Sequence, residues 1–289
     1  MLKAIKAFAR TLMITESEWN PKVMLGRALV AVVPERVLHP AKKIYYSYLF
    51  QHVPPSWGEN DSVCVRALVQ AGDTVIDIGA SIGNYTKFLA TLVGPSGQVH
   101  SFEPNPNIYN FLSHNVRKVR LANVKLYRCA LSDKAGNASI AIPRYRWGSE
   151  CHYDATLEHN RAAADCRQIE VVVTTLDTLF AHGTEKIAFI KCDVNYHELA
   201  CLRGSLQTIR RCKPALLVEV LPSPDHPGSQ AAQLFELLQG EGYEAYCFDG
   251  RCLHKRRYGE RSQNYFFLTR QHEERLPPVT SCQAIQHLG

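Results

Sequence analysis

VIDIGASIGNYT, residues 75–86, decides the fold of this 289-residue chain. Val75 to Ile78 are a short, β-branched run of the kind that is buried on both faces of a sheet. The run closes on Asp77-Ile78-Gly79, a glycine-bearing turn follows, and a helix begins near Asn84. Strand, tight turn and helix in that order form the opening unit of an α/β sheet. The turn reads G-x-x-x-G, with Ser81 where a dinucleotide fingerprint G-x-G-x-x-G would carry its second glycine.

Outward from this unit the alternation continues. QVHSFEP, VKLYRCAL, IAFIKCDV, ALLVEV, YEAYCF and QNYFFLTR read as strands. NIYNFLSHNVRKVR, TLDTLFAH, HELACLRGSLQTIRR and QAAQLFELLQGEG read as the helices between them. ASIAIP and QIEVVVTT are two further β-type runs, separated by a polar segment from Arg144 to Arg167. The pattern predicts an α/β domain over residues 61–275, a mostly parallel sheet with helices on both faces. The last two strands share only the short link Asp249 to Ser262, so they are expected to be antiparallel neighbours at one edge. Residues 1–60 read as a helical extension broken by Pro21, Pro34, Pro40 and Pro54-Pro55, and 276–289 as a tail.

Composition supports this. With 46% hydrophobic and 21% charged residues the chain is globular, not disordered or fibrous. A chain of this size buries roughly 75% of its unfolded surface, so it needs no staples. The net charge of +6, from 33 basic against 27 acidic residues, is mild, and no nucleic-acid partner is expected from it. No two of the ten cysteines stand in C-x-x-C spacing, so buried free thiols and a cytoplasmic location are expected. Cys129 and Cys192 precede site segments and are candidates for oxidation. No run reaches the 18 to 20 or so apolar residues of a membrane span. The start, MLKAIKAFARTLM, reads as a basic amphipathic helix, whether a packing helix, a weak membrane-surface contact or a transit peptide.

A sheet of this type holds ligands outside the carboxyl ends of its strands. Carboxylates gather there: Asp77, Glu103, Asp133 with Ser132, Asp193 and Glu219. Gly79 and Gly83 are expected to let backbone approach a ligand closely. The shorter glycine spacing suits a ligand with a carboxylate and an amino group, such as the methionine part of S-adenosylmethionine. Glu103 is placed to accept hydrogen bonds from both ribose hydroxyls, and Ala130 and Leu131 to flank the adenine ring.

These segments together (VIDIGASIGNYT, SFEPNPNIYNFLSHNV, ALSDKAGNASI, TLDTLF, FIKCDVNYHELACLRGS and PALLVEV) resemble the successive motifs of the FkbM-type methyltransferases, in order and spacing, from about Gly72 to Tyr243. The resemblance implies a Rossmann-like, seven-stranded class I methyltransferase fold. It implies S-adenosyl-L-methionine as cofactor, bound by Asp77, Gly79, Ala80, Gly83, Asn84, Glu103, Pro104, Asn105, Ala130 and Leu131. It also implies O-methylation of a hydroxyl on a small molecule or sugar. One departure stands out. Where the family pattern reads D-V-E-G-x-E, this chain has Asp193-Val194-Asn195-Tyr196-His197-Glu198. An amide replaces a carboxylate and a ring replaces a glycine.

A hydroxyl must lose its proton to become a good nucleophile. The candidates to take it are His197, because a neutral imidazole is free to accept a proton, and Asp193 and Glu219, which end neighbouring strands; Glu198 reads as a first-turn helix acid. Two carboxylates are too few for tight metal binding, so no metal is expected. The segment Arg144 to Arg167 exceeds the usual loop length and reads as a lid or binding loop, suited to a sugar, carboxylate or phosphorylated acceptor, or as a solvated hairpin tip. His254–Arg257 reads as a solvated edge turn. Two other readings compete: a cofactor-binding but catalytically silent regulatory or interaction domain, and a nicotinamide-dependent oxidoreductase, which the glycine spacing disfavours. The N-P-P-Y tetrad of base amino-methylation is absent.

Overall fold

The computed structural model describes residues 35–52, 61–143, 155–157 and 166–276. Helices α1 (Glu35–His52) and α2 (Ser62–Leu68) precede β1 (Thr74–Ile78). Then come α3 (Asn84–Val93), β2 (Gln98–Phe102), α4 (Pro106–Lys118), β3 (Val124–Tyr127), β4 (Ala130–Leu131), β5 (Gly136–Pro143) and β6 (Cys166–Thr174). The second half holds α5 (Leu176–Phe180), β7 (Ile187–Cys192), α6 (Glu198–Arg203), α7 (Leu206–Cys212), β8 (Ala215–Glu219) and α8 (Gln230–Gly240). It ends with β9 (Glu244–Phe248), β10 (Leu253–Lys255), β11 (Asn264–Leu268) and α9 (Arg270–Glu273).

The main sheet runs β10-β9-β11-β8-β7-β1-β2-β3. The five strands from β8 to β3 are parallel, and β11 is antiparallel to both of its neighbours. The seven expected strands are present, and β9 and β11 pair antiparallel as the short link required. The edge differs. β11 inserts between β8 and β9, and β10, an eighth strand, forms the border. It arises because Asp249 Oδ1 accepts the N–H groups of Arg251 and Cys252, which folds the link tightly back on β9. His254 and Lys255, expected in a solvated turn, are therefore edge-strand residues.

Side chains alternate between two apolar layers. Val75, Val99, Phe189 and Leu217 pack with α2 and α3 on one face. Ile76, Ile78, Ile190 and Leu216 pack with α5 to α8 on the other. This is why these strands read as unbroken apolar runs. No described helix is long and apolar enough to cross a membrane.

Four other expectations are corrected. Pro40 lies inside α1 and does not break it; near the helix start its missing N–H costs a single main-chain bond. VKLYRCAL is not one strand. β3 stays in the main sheet, while β4 joins β6 and β5 in a second, three-stranded sheet. HELACLRGSLQTIRR divides into α6 and α7 at Gly204, where a Cβ would meet the Ser132 carbonyl oxygen at 1.9 Å. Finally, Cys252 is disulfide-bonded, whereas Cys64, Cys129, Cys166, Cys192, Cys201, Cys212 and Cys247 are thiols as expected. The basic stretch at the start, expected to be helical, and most of the Arg144–Arg167 segment lie outside the described residues.

Candidate active site

A cleft opens at the carboxyl ends of β1, β2 and β7, between the two sheets, with about 790 Å³ of free space counting the part continuous with solvent. Of the residues expected to hold the cofactor, Gly79, Glu103, Pro104, Asn105, Ala130 and Leu131 line it. Asp193 and His197, expected to carry chemistry, line it too.

The first turn is built by backbone packing. The Phe102 carbonyl accepts both the Gly79 and Ala80 N–H groups, at 3.0 and 2.9 Å. Gly79 has φ +82°, and a Cβ there would sit 1.8 Å from the Asp193 carbonyl oxygen. Gly83, at φ +98°, faces Leu112 and Phe50. Both glycines were expected to leave room for a ligand. Instead protein fills the direction of each missing side chain, and the glycines let β1, β7 and α1 close up. Asp77 also stays out of the cleft. It points under α3, where Oδ2 accepts from Thr86 Oγ1 at 2.6 Å and Oδ1 has no hydrogen-bond partner among the described residues. Burial raises its pKa against the pull of Lys191. Ala80 is buried and Asn84 is exposed at the start of α3, and neither lines the cleft.

Glu103 is the best-prepared group. Only 8% exposed, it accepts the Ser81 N–H at Oε2 (3.0 Å) and the Asn105 N–H at Oε1 (2.9 Å). Each oxygen keeps a further lone pair for a ligand hydroxyl. Burial pushes its pKa up to about 7, against those two backbone donors. Phe102, Ile108, Leu131, Ile140 and Leu157 supply apolar walls beside it.

At the other side Asp193 and Glu219 follow paired positions of β7 and β8, where Cys192 faces Val218. Their carboxyl groups are hydrogen-bonded to each other. Lys191 Nζ reaches Asp193 Oδ2 at 2.8 Å and stands 5.0 Å over the Tyr85 ring. Burial works to raise the pKa of Asp193, but Lys191 overrides it and holds the carboxylate ionised. Burial and the Asp193 charge push Glu219 up to about 7. Asp193 keeps 37% of its side-chain surface open; Glu219 stands behind it, off the cleft wall, and takes Gln263 Nε2 at 2.7 Å. His197 Nε2 lies 2.9 Å from Ser132 Oγ, on the side of the small sheet. Glu198 lies in the first turn of α6, as expected, and is buried at 6% exposure; its Oε1 accepts the N–H groups of Val194 and Tyr196.

Lys191 was missed by sequence reasoning, although a lysine inside the apolar run IAFIKC was a signal. Ile140 was missed because only the docking of the second sheet brings it to the cleft; Thr156 and Leu157 fall in the segment read as a lid or binding loop but were not singled out within it.

The model of the methyltransferase FkbM domain matches residues 77–245. The chain belongs to the FkbM methyltransferase family. S-adenosylmethionine is the cofactor of such enzymes, and the residues present fit it. The doubly braced Glu103 matches a ribose diol, and the apolar walls match a flat base. Among curated proteins, this FkbM-family chain is 32% identical over 96 residues to a demethylmenaquinone methyltransferase of Geobacillus sp. (strain WCH70), covering 32% of the chain and 41% of that protein. It is 27% identical over 146 residues to a tRNA (adenine(58)-N(1))-methyltransferase catalytic subunit of Cryptococcus neoformans, covering 47% and 34%. The chain thus spans less than half the length of these two relatives. Among solved structures, a methyltransferase FkbM from Methylobacillus flagellatus KT is similar with a TM-score of 0.46 and 14% identity, over 92% of this chain and 59% of that one.

Proposed function

We propose that this protein is an S-adenosylmethionine-dependent O-methyltransferase acting on a hydroxyl of a small molecule or sugar. The observation that carries this reading is the Asp193–Glu219 pair, open through Asp193 to the same cleft that Glu103 lines. Bound S-adenosylmethionine supplies a methyl group already activated by a positive sulfur. The protein's share is to position the acceptor, exclude water and take a proton.

Glu103 holds the ribose hydroxyls, and Ala130, Leu131, Ile140 and Leu157 enclose the base. Asp193, oriented by Lys191, receives the acceptor's hydroxyl hydrogen bond. The two carboxyls titrate as a pair. Below about pH 7 they share one proton, since Glu219 keeps it. Above that pH the pair is free to accept one, so the rate rises with pH through about 7. Asp193 is favoured over His197 as the group that takes the proton, because the His197 ring is engaged with Ser132 beside β4.

Calorimetry and a labelled-methyl assay test this reading. S-adenosylhomocysteine should bind, and Glu103→Ala should weaken it by about 1.5–3 kcal/mol, as for hydrogen bonds to a charged group. Asp193→Asn should keep that affinity and abolish transfer to a hydroxyl acceptor identified from a labelled lysate. Binding without transfer to any acceptor would instead favour a cofactor-binding module that is catalytically silent.

A further inference from the structure

The turn that follows β7 carries two consecutive left-handed residues, Asn195 at φ +51° and Tyr196 at φ +74°. Asparagine visits this region more readily than most residues, whereas a bulky side chain there costs roughly 1–2 kcal/mol. Such strain persists only where surrounding bonds over-determine it. Here they do. The buried Glu198 carboxylate binds the N–H groups on both sides of Asn195, from Val194 at 3.2 Å and Tyr196 at 3.1 Å.

The strained turn aims Asn195 at the segment 155–157. Asn195 Nδ2 donates to the Ala155 carbonyl at 3.1 Å, and Thr156 Oγ1 donates to the Asn195 carbonyl at 2.7 Å. Thr156 in turn pairs with Ala141 of β5 by two main-chain bonds, at 2.9 and 3.0 Å. Leu157 packs on the cluster of Ala130 and Ile140. Ala155, Thr156, Leu157 and Asn195 all line the cleft. The contacts therefore join the large sheet to the small one across the mouth of the site.

We infer that Asn195 is a positioning residue for the cofactor: it latches the Ala155–Leu157 segment to the turn after β7 and so makes that segment the outer wall of the nucleoside end of the cleft. The latch needs an amide. Only a donor satisfies the Ala155 carbonyl, and a carboxylate at the same place would set two acceptors against each other. This gives a physical role to the amide by which the chain departs from D-V-E-G-x-E. The Glu198 brace gives the tyrosine beside it a means of tolerating a glycine-like conformation. The inference rests on the cofactor reading of the cleft.

Two measurements on the full chain test it, one with ligand and one without. Asn195→Asp keeps the shape and the left-handed preference but removes the donor; Thr156→Val removes the other half of the latch and serves if the first variant folds poorly. Hydrogen exchange of the apo protein should show the Ala141 and Thr156 amides exchanging about tenfold faster in either variant. Calorimetry should show S-adenosylhomocysteine binding about five- to tenfold weaker, the loss expected for one hydrogen bond of this kind. The double variant should be little worse than either single one, because both break the same latch. Unchanged exchange in both variants would overturn the latch. Faster exchange with unaltered affinity would overturn its role in positioning the cofactor. If the wild-type chain bound no S-adenosylhomocysteine, the cofactor reading and the positioning role would both fall, while apo exchange would still report on the latch.

Discussion

At the scale of single residues, buried carboxyls dominate the site. Glu198 titrates near 4.5 when unperturbed and is pushed up to about 7 in the folded protein, first by burial and then by the charges of Asp193 and Glu219. A folded state that holds a proton more tightly than the unfolded one gains stability below the unfolded pKa and loses it as pH rises through the folded one. Stability contributed by Glu198 is therefore present below about pH 4.5 and gone above about pH 7. Glu198→Gln is the informative substitution, because the Gln Oε1 accepts the same two N–H groups but never charges. Urea unfolding at pH 5 and pH 8 should show the wild type losing on the order of 2 kcal/mol relative to this variant across that interval. An identical pH dependence in the two proteins would mean that Glu198 carries no such penalty. His100 acts in the opposite sense: burial lowers its pKa to about 4, so its contribution is lost as pH falls from about 6.5 through 4.

At the scale of elements, close backbone approaches set the geometry. Gly204 ends α6 where a Cβ would meet the Ser132 carbonyl oxygen at 1.9 Å and Asp133 Cα at 3.1 Å. Both are main-chain atoms, so neither can swing away. Gly204→Ala should cost about 3 kcal/mol or more by denaturant titration, through overpacking, and should loosen the contact of His197 with Ser132. Gly240, at the end of α8 with nothing within 4 Å of its missing Cβ, is the control; its replacement by Ala should be neutral or stabilise by about 0.5–1 kcal/mol. These approaches explain which elements were legible in the sequence. Runs such as TVIDI and ALLVE announce themselves by local composition, and seven of the eight main-sheet strands were found that way. The breaks at Gly204 and between β3 and β4 depend on contacts between distant segments, which no local pattern carries. Side-chain direction was illegible for a related reason. A strand buried on both faces shows no polar alternation, so nothing in VIDIG told that Asp77 faces α3 while the cleft opens beyond Ile78. The polar strand ends Glu103 and Asp193 were legible because each follows the last buried residue of its strand.

At the scale of the whole molecule, the cleft proposed to hold the cofactor is a seam between two sheets, and ligand binding should be felt as stability of the assembled domain. The large sheet supplies Gly79, Glu103 and Asp193; the small one supplies Ala130, Leu131 and Ile140. Direct polar links across the mouth include the Asn195 contacts with Ala155 and Thr156 and the His197 contact with Ser132. A ligand that touches both sheets adds its binding free energy to their docking, because it binds the folded state and not the unfolded one. S-adenosylhomocysteine at about 100 times its Kd should therefore stabilise the protein by about 2.7 kcal/mol. For a domain of this size that corresponds to a rise in Tm of roughly 5–10 °C, readable by scanning calorimetry. Glu103→Ala should cut the rise at the same ligand concentration, since weaker binding lowers the occupancy-dependent term. The second sheet should share in the effect, so the β5 and β6 amides should gain protection from exchange along with those of β1 and β2. Protection confined to β1 and β2 would mean that the small sheet is a bystander and that the cofactor is held by the large sheet alone.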